Sequence, residues 1–143
     1  MLYLAADHAG FKLKETIKEF LDLLEVDYED YCAQKEDTDD DYPDYVKKVV
    51  KKMTKKTDRA VLVCGSGIGM CIAANRYKGI RAVVGAHEHA VNLGRTDEDI
   101  NVLCLGGWLT NENMAKRFIK IFLNKPFGGE TRHKRRITKL DNK

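Results

Sequence analysis

The sequence has little proline, no paired cysteine motif and no long hydrophobic run, and each of these absences excludes a class of protein. Of 143 residues, 2 are proline and 11 are glycine, which rules out collagen-like and low-complexity chains. The apolar runs fall short of the roughly 18 residues that a membrane-spanning helix needs. The first residues have no basic segment and meet a charge at Asp7, so we expect neither a signal peptide nor a membrane partner.

The four cysteines are widely spaced and form neither a CxxC pair nor a Cys/His cluster. This spacing is unlike that of a zinc site or a disulfide framework, and three of the cysteines lie in apolar surroundings. We therefore expect reduced thiols in a cytoplasmic protein that holds no metal. The formal net charge of +3 is too small to indicate a nucleic-acid partner on its own.

Short apolar segments alternate with amphipathic ones along the whole chain. The apolar segments predict strands at 2–6, 26–31 (a sheet edge), 59–64, 80–85 and 101–105. Helices are expected at 11–24, about 42–55, 67–77, 87–94 and 111–123. Strands separated by helices indicate parallel βαβ units. The predicted fold is a single Rossmann-like three-layer αβα sandwich with a mostly parallel five-stranded sheet, spanning 1–143 with a basic arm over about 130–143.

The most informative segment is Cys64–Gly69, which reads Cys-Gly-Ser-Gly-Ile-Gly after a predicted buried strand. Its glycines let a ligand approach the backbone, and the helix that follows offers free N–H groups to an anion. The segment is neither a complete dinucleotide fingerprint nor a P-loop, although Glu88, about 20 residues on, keeps a dinucleotide-binding alternative open. Cys64 precedes the positive end of a helix, which stabilises a thiolate base or nucleophile. A buried core cysteine is the alternative.

Further candidate ligands lie after the first strand and near the C-terminus. Asp7 either caps the next helix or binds a sugar hydroxyl, with His8 beside it to meet a phosphate. Arg132 and Arg136 are four residues apart, so a helix would place both guanidinium groups on one face, where they suit phosphate oxygens. A solvated tail is the alternative, and no aromatic platform supports nucleic-acid binding. The acidic residues 36–41 lack calcium-loop spacing and are expected to form a solvated loop.

Taken in order, these motifs resemble the ribose-5-phosphate isomerase type B family, which also contains the galactose-6-phosphate isomerase subunits. The resemblance covers nearly the whole chain, through Asp7-His8-Ala9-Gly10, Asp41-Tyr42-Pro43, Cys64 to Gly69, Ala73 to Arg76, Gly79 to Ala82, Asn101-Val102 and Arg132-His133 with Arg136. That family interconverts aldose and ketose phosphates through an enediolate, without metal or cofactor. The resemblance implies a sugar-phosphate substrate, and a homodimer or dimer of dimers with shared active sites.

The resemblance also implies a role for each candidate residue. Cys64 matches the family's cysteine base, and the Ser66 hydroxyl with nearby backbone N–H groups would hold the developing oxyanion. Asp7 and Tyr42 match positions that face the sugar, whereas His8, Arg132 and Arg136 match positions that bind the phosphate. The full set of implied substrate-binding positions is Asp7, His8, Tyr42, Gly65, Gly67, Ile68, Gly69, Arg132, His133 and Arg136.

Two positions depart from the family's pattern. Most relatives have a His-Asn pair shortly before the last strand, and its histidine opens the furanose ring. Here Asp97 and Glu98 occupy those places, and Trp108 stands where an arginine is common. Either Asp97 opens the ring, or the open-chain sugar is used, or a hexose 6-phosphate replaces ribose 5-phosphate as substrate. A non-catalytic sugar-phosphate- or nucleotide-binding protein is the alternative from another class.

Overall fold

Helices and strands alternate along the computed structural model, which describes residues 1–32 and 38–142. Their order is β1 (Leu2–Ala6), α1 (Phe11–Leu23), β2 (Tyr28–Asp30), α2 (Tyr42–Lys52), β3 (Arg59–Cys64), α3 (Ile68–Ala74), β4 (Ala82–Val84), α4 (Glu88–Glu98), β5 (Val102–Gly106), α5 (Glu112–Asn124) and α6 (Thr131–Asp141). No helix in these described residues has the length and hydropathy needed to cross a membrane.

The five strands of the described residues form one sheet in the order β2-β1-β3-β5-β4, and every pairing is parallel. The predicted fold class is thus confirmed, and β2 is an edge strand as expected. From β1 the chain moves outward to β2 and then returns to the other side of β1 to form β3. The direction of winding therefore reverses between β1 and β3, and ligands of such sheets bind beyond the strand ends at this reversal.

Alternating side chains of the central strands build a core on each face of the sheet. Val61 and Val63 face one way and pack with α1 and α5, while Ala60 and Leu62 face the other way and pack with α2 and α3. These strand residues are fully buried, as expected for a parallel sheet covered on both faces. Two helical layers around one sheet give the expected three-layer sandwich.

The predicted bounds of the fourth helix were wrong. The sequence pattern ends it at Gly94, but α4 continues to Glu98, and Gly94 lies within the helix against the Ile100 side chain. A Cβ at Gly94 would lie 3.0 Å from the Ile100 Cδ1 atom. The helix ends at Asp99, whose φ of 46° lies in the left-handed region. Asp97 therefore belongs to the last turn of a helix.

Candidate active site

Cys64 is the last residue of β3, and its thiol lies against the turn that begins α3. The Cys64 Sγ atom accepts a hydrogen bond from the Gly67 N–H at 3.1 Å, and the residue is 4% exposed. Gly67 has a φ of 78°, and a Cβ there would come within 2.9 Å of the Leu105 carbonyl carbon. Only glycine fits this turn, which supplies an N–H donor to the sulfur. A thiolate at Cys64 gains a charge-assisted hydrogen bond from this donor.

The backbone donors at the start of α3 are arranged around the same turn. The Ile68 N–H donates to the Ser66 Oγ atom at 3.2 Å, and the Gly67 N–H is held by the thiol. Two of the donors expected to hold an oxyanion are thus engaged within the loop. A substrate oxygen would replace the Ser66 hydroxyl as the acceptor of the Ile68 N–H. The Ser66 hydroxyl would then be able to donate its own hydrogen bond to the substrate.

The loop after β5 supports the Cys64 turn and adds an aromatic wall to it. The Gly107 N–H donates to the Cys64 carbonyl at 2.7 Å, and the Trp108 N–H donates to the Gly65 carbonyl at 3.0 Å. The indole ring lies on Gly65, since a Cβ there would be 2.6 Å from the Trp108 Cη2 atom. Trp108 is nevertheless 75% exposed. An exposed indole therefore forms one flank of the glycine loop.

Tyr42 reaches the opposite flank of the loop from the first turn of α2. Its ring lies on Gly69, where a Cβ would come within 2.7 Å of the Tyr42 Cζ atom. Pro43, which follows it, suits the first turn of a helix because that position needs no N–H donor. The structure thus brings Tyr42 to the loop that carries Cys64.

Asp7 and His8 form the other half of this site, in the loop after β1. The Asp7 Oδ1 atom accepts the Gly10 N–H at 3.0 Å, so the structure shows Asp7 supporting the turn into α1. Burial raises the pKa of the Asp7 carboxyl above its ordinary value. A Cβ at Gly10 would meet the Val63 carbonyl oxygen at 2.3 Å, so this loop packs directly on the end of β3.

Asp40 is a member of the site that the sequence analysis missed. Its Oδ1 atom accepts hydrogen bonds from the His8 Nδ1 atom at 2.7 Å and from the His8 backbone N–H at 3.2 Å. The expectation of a solvated loop over 36–41 is therefore wrong for Asp40, whose side chain is 8% exposed. Residues 36 and 37 of that stretch lie outside the described residues. No local pattern could reveal a pairing across 32 positions.

Asp7, His8 and Asp40 are also the only group of three or more His, Cys, Asp or Glu residues in the described chain whose side-chain atoms lie close enough to share a cation. These atoms lie within 4.8 Å of one another. Hydrogen bonds within the group and to Gly10 engage all three side chains, so the geometry does not require a metal.

The remaining predicted site residues lie at the opposite edge of the sheet. Helix α4 starts beyond the carboxyl end of β4, and its 11 residues carry the chain about 16 Å back toward the strand starts. The His133 Nδ1 atom lies 2.9 Å from the Asp97 carbonyl oxygen at this far end. Arg132 pairs with Glu130 at 2.8 Å, and both Arg132 and Arg136 are exposed on α6.

Within one chain the predicted site is therefore divided into two parts. Cys64, Ser66, the glycines, Asp7, His8 and Tyr42 meet at the carboxyl edge. Asp97, Arg132, His133 and Arg136 meet at the amino edge, on α4 and α6. We name this second group the basic edge.

Fold and geometry together define an α/β protein with a candidate ligand site at the reversal between β1 and β3, built around a buried cysteine and a glycine turn. Residues 2–140 match the family model described as Ribose/Galactose Isomerase. The chain belongs to that family, and the resemblance read from its motifs is confirmed.

Named relatives agree with this assignment along almost the full chain. Ribose-5-phosphate isomerase B of Escherichia coli is 34% identical over 132 residues, which are 92% of this chain and 87% of that protein. The crystal structure of a ribose 5-phosphate isomerase from Thermotoga maritima is 41% identical with a TM-score of 0.93, covering 99% of this chain and 97% of that one. The Mycoplasma genitalium ribose-5-phosphate isomerase B, solved with bound ribulose-5-phosphate, is 35% identical with a TM-score of 0.89, covering 99% and 93%.

Proposed function

We propose that this aldose–ketose isomerase converts ribose 5-phosphate to ribulose 5-phosphate through an enediolate, with Cys64 as the base and without a cofactor. The observation that carries the proposal is the hydrogen bond of 3.1 Å that the Gly67 N–H donates to the Cys64 thiol. This bond lies where the direction of winding reverses between β1 and β3. A family relative that shares 35% of its residues was solved with ribulose-5-phosphate bound, which supports a pentose phosphate as the ligand. Four unpaired cysteines suit a reducing cytoplasm.

The reaction needs one group that moves a proton and others that hold charge. The Cys64 thiolate removes the proton from C2 of the open-chain sugar and returns a proton to C1. Negative charge develops on the enediolate oxygens, and the Ile68 N–H and Ser66 hydroxyl lie beside the thiol to stabilise it. The Asp7 carboxyl, whose Oδ1 atom accepts the Gly10 N–H, is the candidate partner for a sugar hydroxyl. Tyr42 and Trp108 enclose the loop from its two flanks.

The predicted phosphate ligands lie at two edges of the described chain. His8 lies at the carboxyl edge, while Arg132 and Arg136 lie on the basic edge. We propose that a second copy of the chain supplies its basic edge to the Cys64 site, so that each site of a homodimer uses two chains. Two large apolar side chains of α3 beside the site, Ile68 and Ile72, are 53% and 60% exposed, which suits a surface covered by that second copy.

Asp97 is the candidate acid–base group for opening the sugar ring. In the proposed homodimer, Asp97 of one chain belongs to the basic edge that reaches the Cys64 site of the other chain. Asp97→Asn keeps an oxygen for the Thr96 hydroxyl, which donates to Asp97 Oδ1 at 2.8 Å, but it cannot exchange a proton. We expect its kcat/KM for ribose 5-phosphate to fall about 10²-fold, the usual size of general acid–base catalysis.

Erythrose 4-phosphate is the control, because it is too short to close a ring and so needs no ring opening. The variant should use it as well as the parent protein does. An unchanged rate on ribose 5-phosphate would remove Asp97 from this role.

Asp40→Asn should weaken phosphate binding and leave the proton transfer intact. The carboxylate pairs with His8 Nδ1 at 2.7 Å, so it holds the imidazole ring, the proposed phosphate ligand, in a fixed orientation. We expect KM to rise about fivefold, or roughly 1 kcal/mol, with kcat unchanged. Steady-state kinetics measure this split, with Asp44→Asn, an exposed aspartate in the first turn of α2, as the charge-matched control. A fall in kcat at constant KM would contradict the assignment.

The direct test of the function is conversion of ribose 5-phosphate by the purified protein. Formation of ribulose 5-phosphate supports the proposal. A parallel panel of aldose and ketose hexose 6-phosphates tests the larger substrate. Binding of both sugar phosphates without any product would instead establish the non-catalytic alternative. Thermal stabilisation by each ligand detects that binding.

A further inference from the structure

A cleft at the amino edge of the sheet takes no part in the proposed reaction. It lies between the loop that joins α2 to β3, the residues just before β4, and helix α6. Its volume of 590 Å³ falls within the range of about 300–1,000 Å³ that small-molecule sites occupy. Four exposed lysines line it, and we name it the lysine cleft after them: Lys55, Lys56, Lys78 and Lys134.

The charges of these lysines are not compensated within the described chain. The cleft also contains the carboxylates of Asp99 and Asp141, but arginines already hold both of them. Arg81 pairs with Asp141 at 3.2 Å, and Arg95 pairs with Asp99 at 2.8 Å. The ion pairs of the described residues include none of the four lysines. Four like charges around one concave surface create a positive potential that attracts an anion.

Apolar side chains line the cleft beside the lysines. They are partly buried and comprise Met53, Ile80, Phe127 and Ile137. Phe127 is the aromatic member of this group, and a flat ring of a ligand gains free energy by stacking on such a side chain. An anion without a ring would leave this apolar surface unused. The lining therefore suits a ligand that combines several negative charges with a flat ring.

We propose that the lysine cleft binds a nucleoside triphosphate, with its base on Phe127 and its phosphates on the four lysines. The phosphate oxygens accept charge-assisted hydrogen bonds from the lysine ammonium groups. The enclosed shape favours this small ligand over a nucleic-acid strand, which needs an open groove along its backbone. The binding does not depend on the proposed isomerase reaction.

Helix α6 separates the lysine cleft from the phosphate ligands of the proposed active site. Lys134 and Thr138 are four residues apart and both line the cleft, so they mark one side of this helix. Arg132 and Arg136 each precede one of them by two residues, which turns them about 200° around the helix axis. The basic edge and the lysine cleft therefore use opposite sides of α6, and a second copy would approach the basic edge from the side away from the cleft.

Isothermal titration calorimetry of the full chain with ATP, without divalent metal, tests the site. We expect one ATP to bind per chain, and the double variant Lys78→Gln with Lys134→Gln to bind it about tenfold more weakly. The charge-matched control is Lys47→Gln with Lys51→Gln, two exposed lysines of α2 outside the cleft, which should stay within about twofold of the parent. Equal losses in the two double variants, or no saturable binding of millimolar ATP by the parent, would overturn the proposal.

Phe127→Leu tests the part of the cleft assigned to the base. Leucine keeps an apolar side chain but removes the aromatic face, so ATP should bind about fivefold more weakly. Inorganic tripolyphosphate, which has no base, should bind this variant as it binds the parent, and more weakly than ATP binds the parent. Tripolyphosphate binding as tight as that of ATP, or tighter binding of a single-stranded oligonucleotide, would overturn the assignment to a nucleotide.

Competition with ribose 5-phosphate separates the lysine cleft from the proposed active site. Saturating ribose 5-phosphate should leave the affinity for ATP unchanged, and Arg132→Ala with Arg136→Ala should bind ATP within about twofold of the parent. Displacement of ATP by the sugar phosphate would place ATP in the Cys64 site and overturn the proposal. Calorimetry measures no turnover, so a failure of the isomerase proposal would be seen separately, as absent conversion of ribose 5-phosphate.

Discussion

Replacing Cys64 with alanine will lower kcat for ribose 5-phosphate by about 10³-fold, within the range of a missing general base. Within the turn, the groups beside the thiol are N–H donors and a hydroxyl, which do not act as a base at neutral pH. The fold should survive, since the change removes a single sulfur atom from the end of β3. Stopped or coupled assays of ribulose 5-phosphate measure the loss.

The matched control is Cys71→Ala, which removes a second sulfur from the same face of the sheet and should keep kcat within about twofold of the parent. Thermal unfolding of both variants reports any general loss of structure. If Cys64→Ala kept more than a tenth of the parental kcat while folded, another group would have to be the base.

A dimer that combines two inactive chains will regain about half of the parental activity. One chain carries Cys64→Ala, and the other carries Arg132→Ala with Arg136→Ala, which alone should lower kcat/KM by about 10²-fold or more. If each site takes Cys64 from one chain and the basic edge from the other, one of the two sites in the mixed dimer is intact. Two affinity tags isolate this dimer from the coexpressed chains, and steady-state rates measure it.

The mixed dimer separates a shared site from a self-contained one. If the basic edge served its own chain, both sites of the mixed dimer would carry a defect. The activity of the mixed dimer would then stay at the level of the two separate variants. Coexpression of Cys64→Ala with itself under both tags provides the matched background. Activity no higher than that of the separate variants would contradict a site built from two chains.

The Cys64 turn could be predicted because its signals are local. A buried strand, three glycines and a helix start follow one another within Cys64–Gly69, and the structure places the thiol on the turn that this order implies. The contact between Trp108 and Gly65 could not be predicted, because it joins two loops through the pairing of β3 with β5. The pairing of Asp40 with His8 escaped prediction because it joins two loops that lie 32 positions apart in the sequence.

The division of the site follows from topology rather than from any motif. Asp7 and Cys64 follow parallel strands, whose carboxyl ends share one edge. Asp97 ends a helix that returns along the sheet, so it arrives at the other edge with His133 beside it. The spacing of these residues in the sequence does not show that they lie at opposite edges of the sheet. The parallel order of the strands shows it, once α4 is known to reach Glu98.

Isotope exchange in deuterated water tests the central claim that Cys64 moves a proton on the sugar. With the parent protein, ribose 5-phosphate recovered before equilibrium should carry deuterium at C2, and the ribulose 5-phosphate formed should carry it at C1. The Cys64→Ala variant, folded and binding the same sugar phosphate, should show neither exchange nor conversion above the uncatalysed rate. Exchange at C2 at the parental rate in that variant would contradict the account.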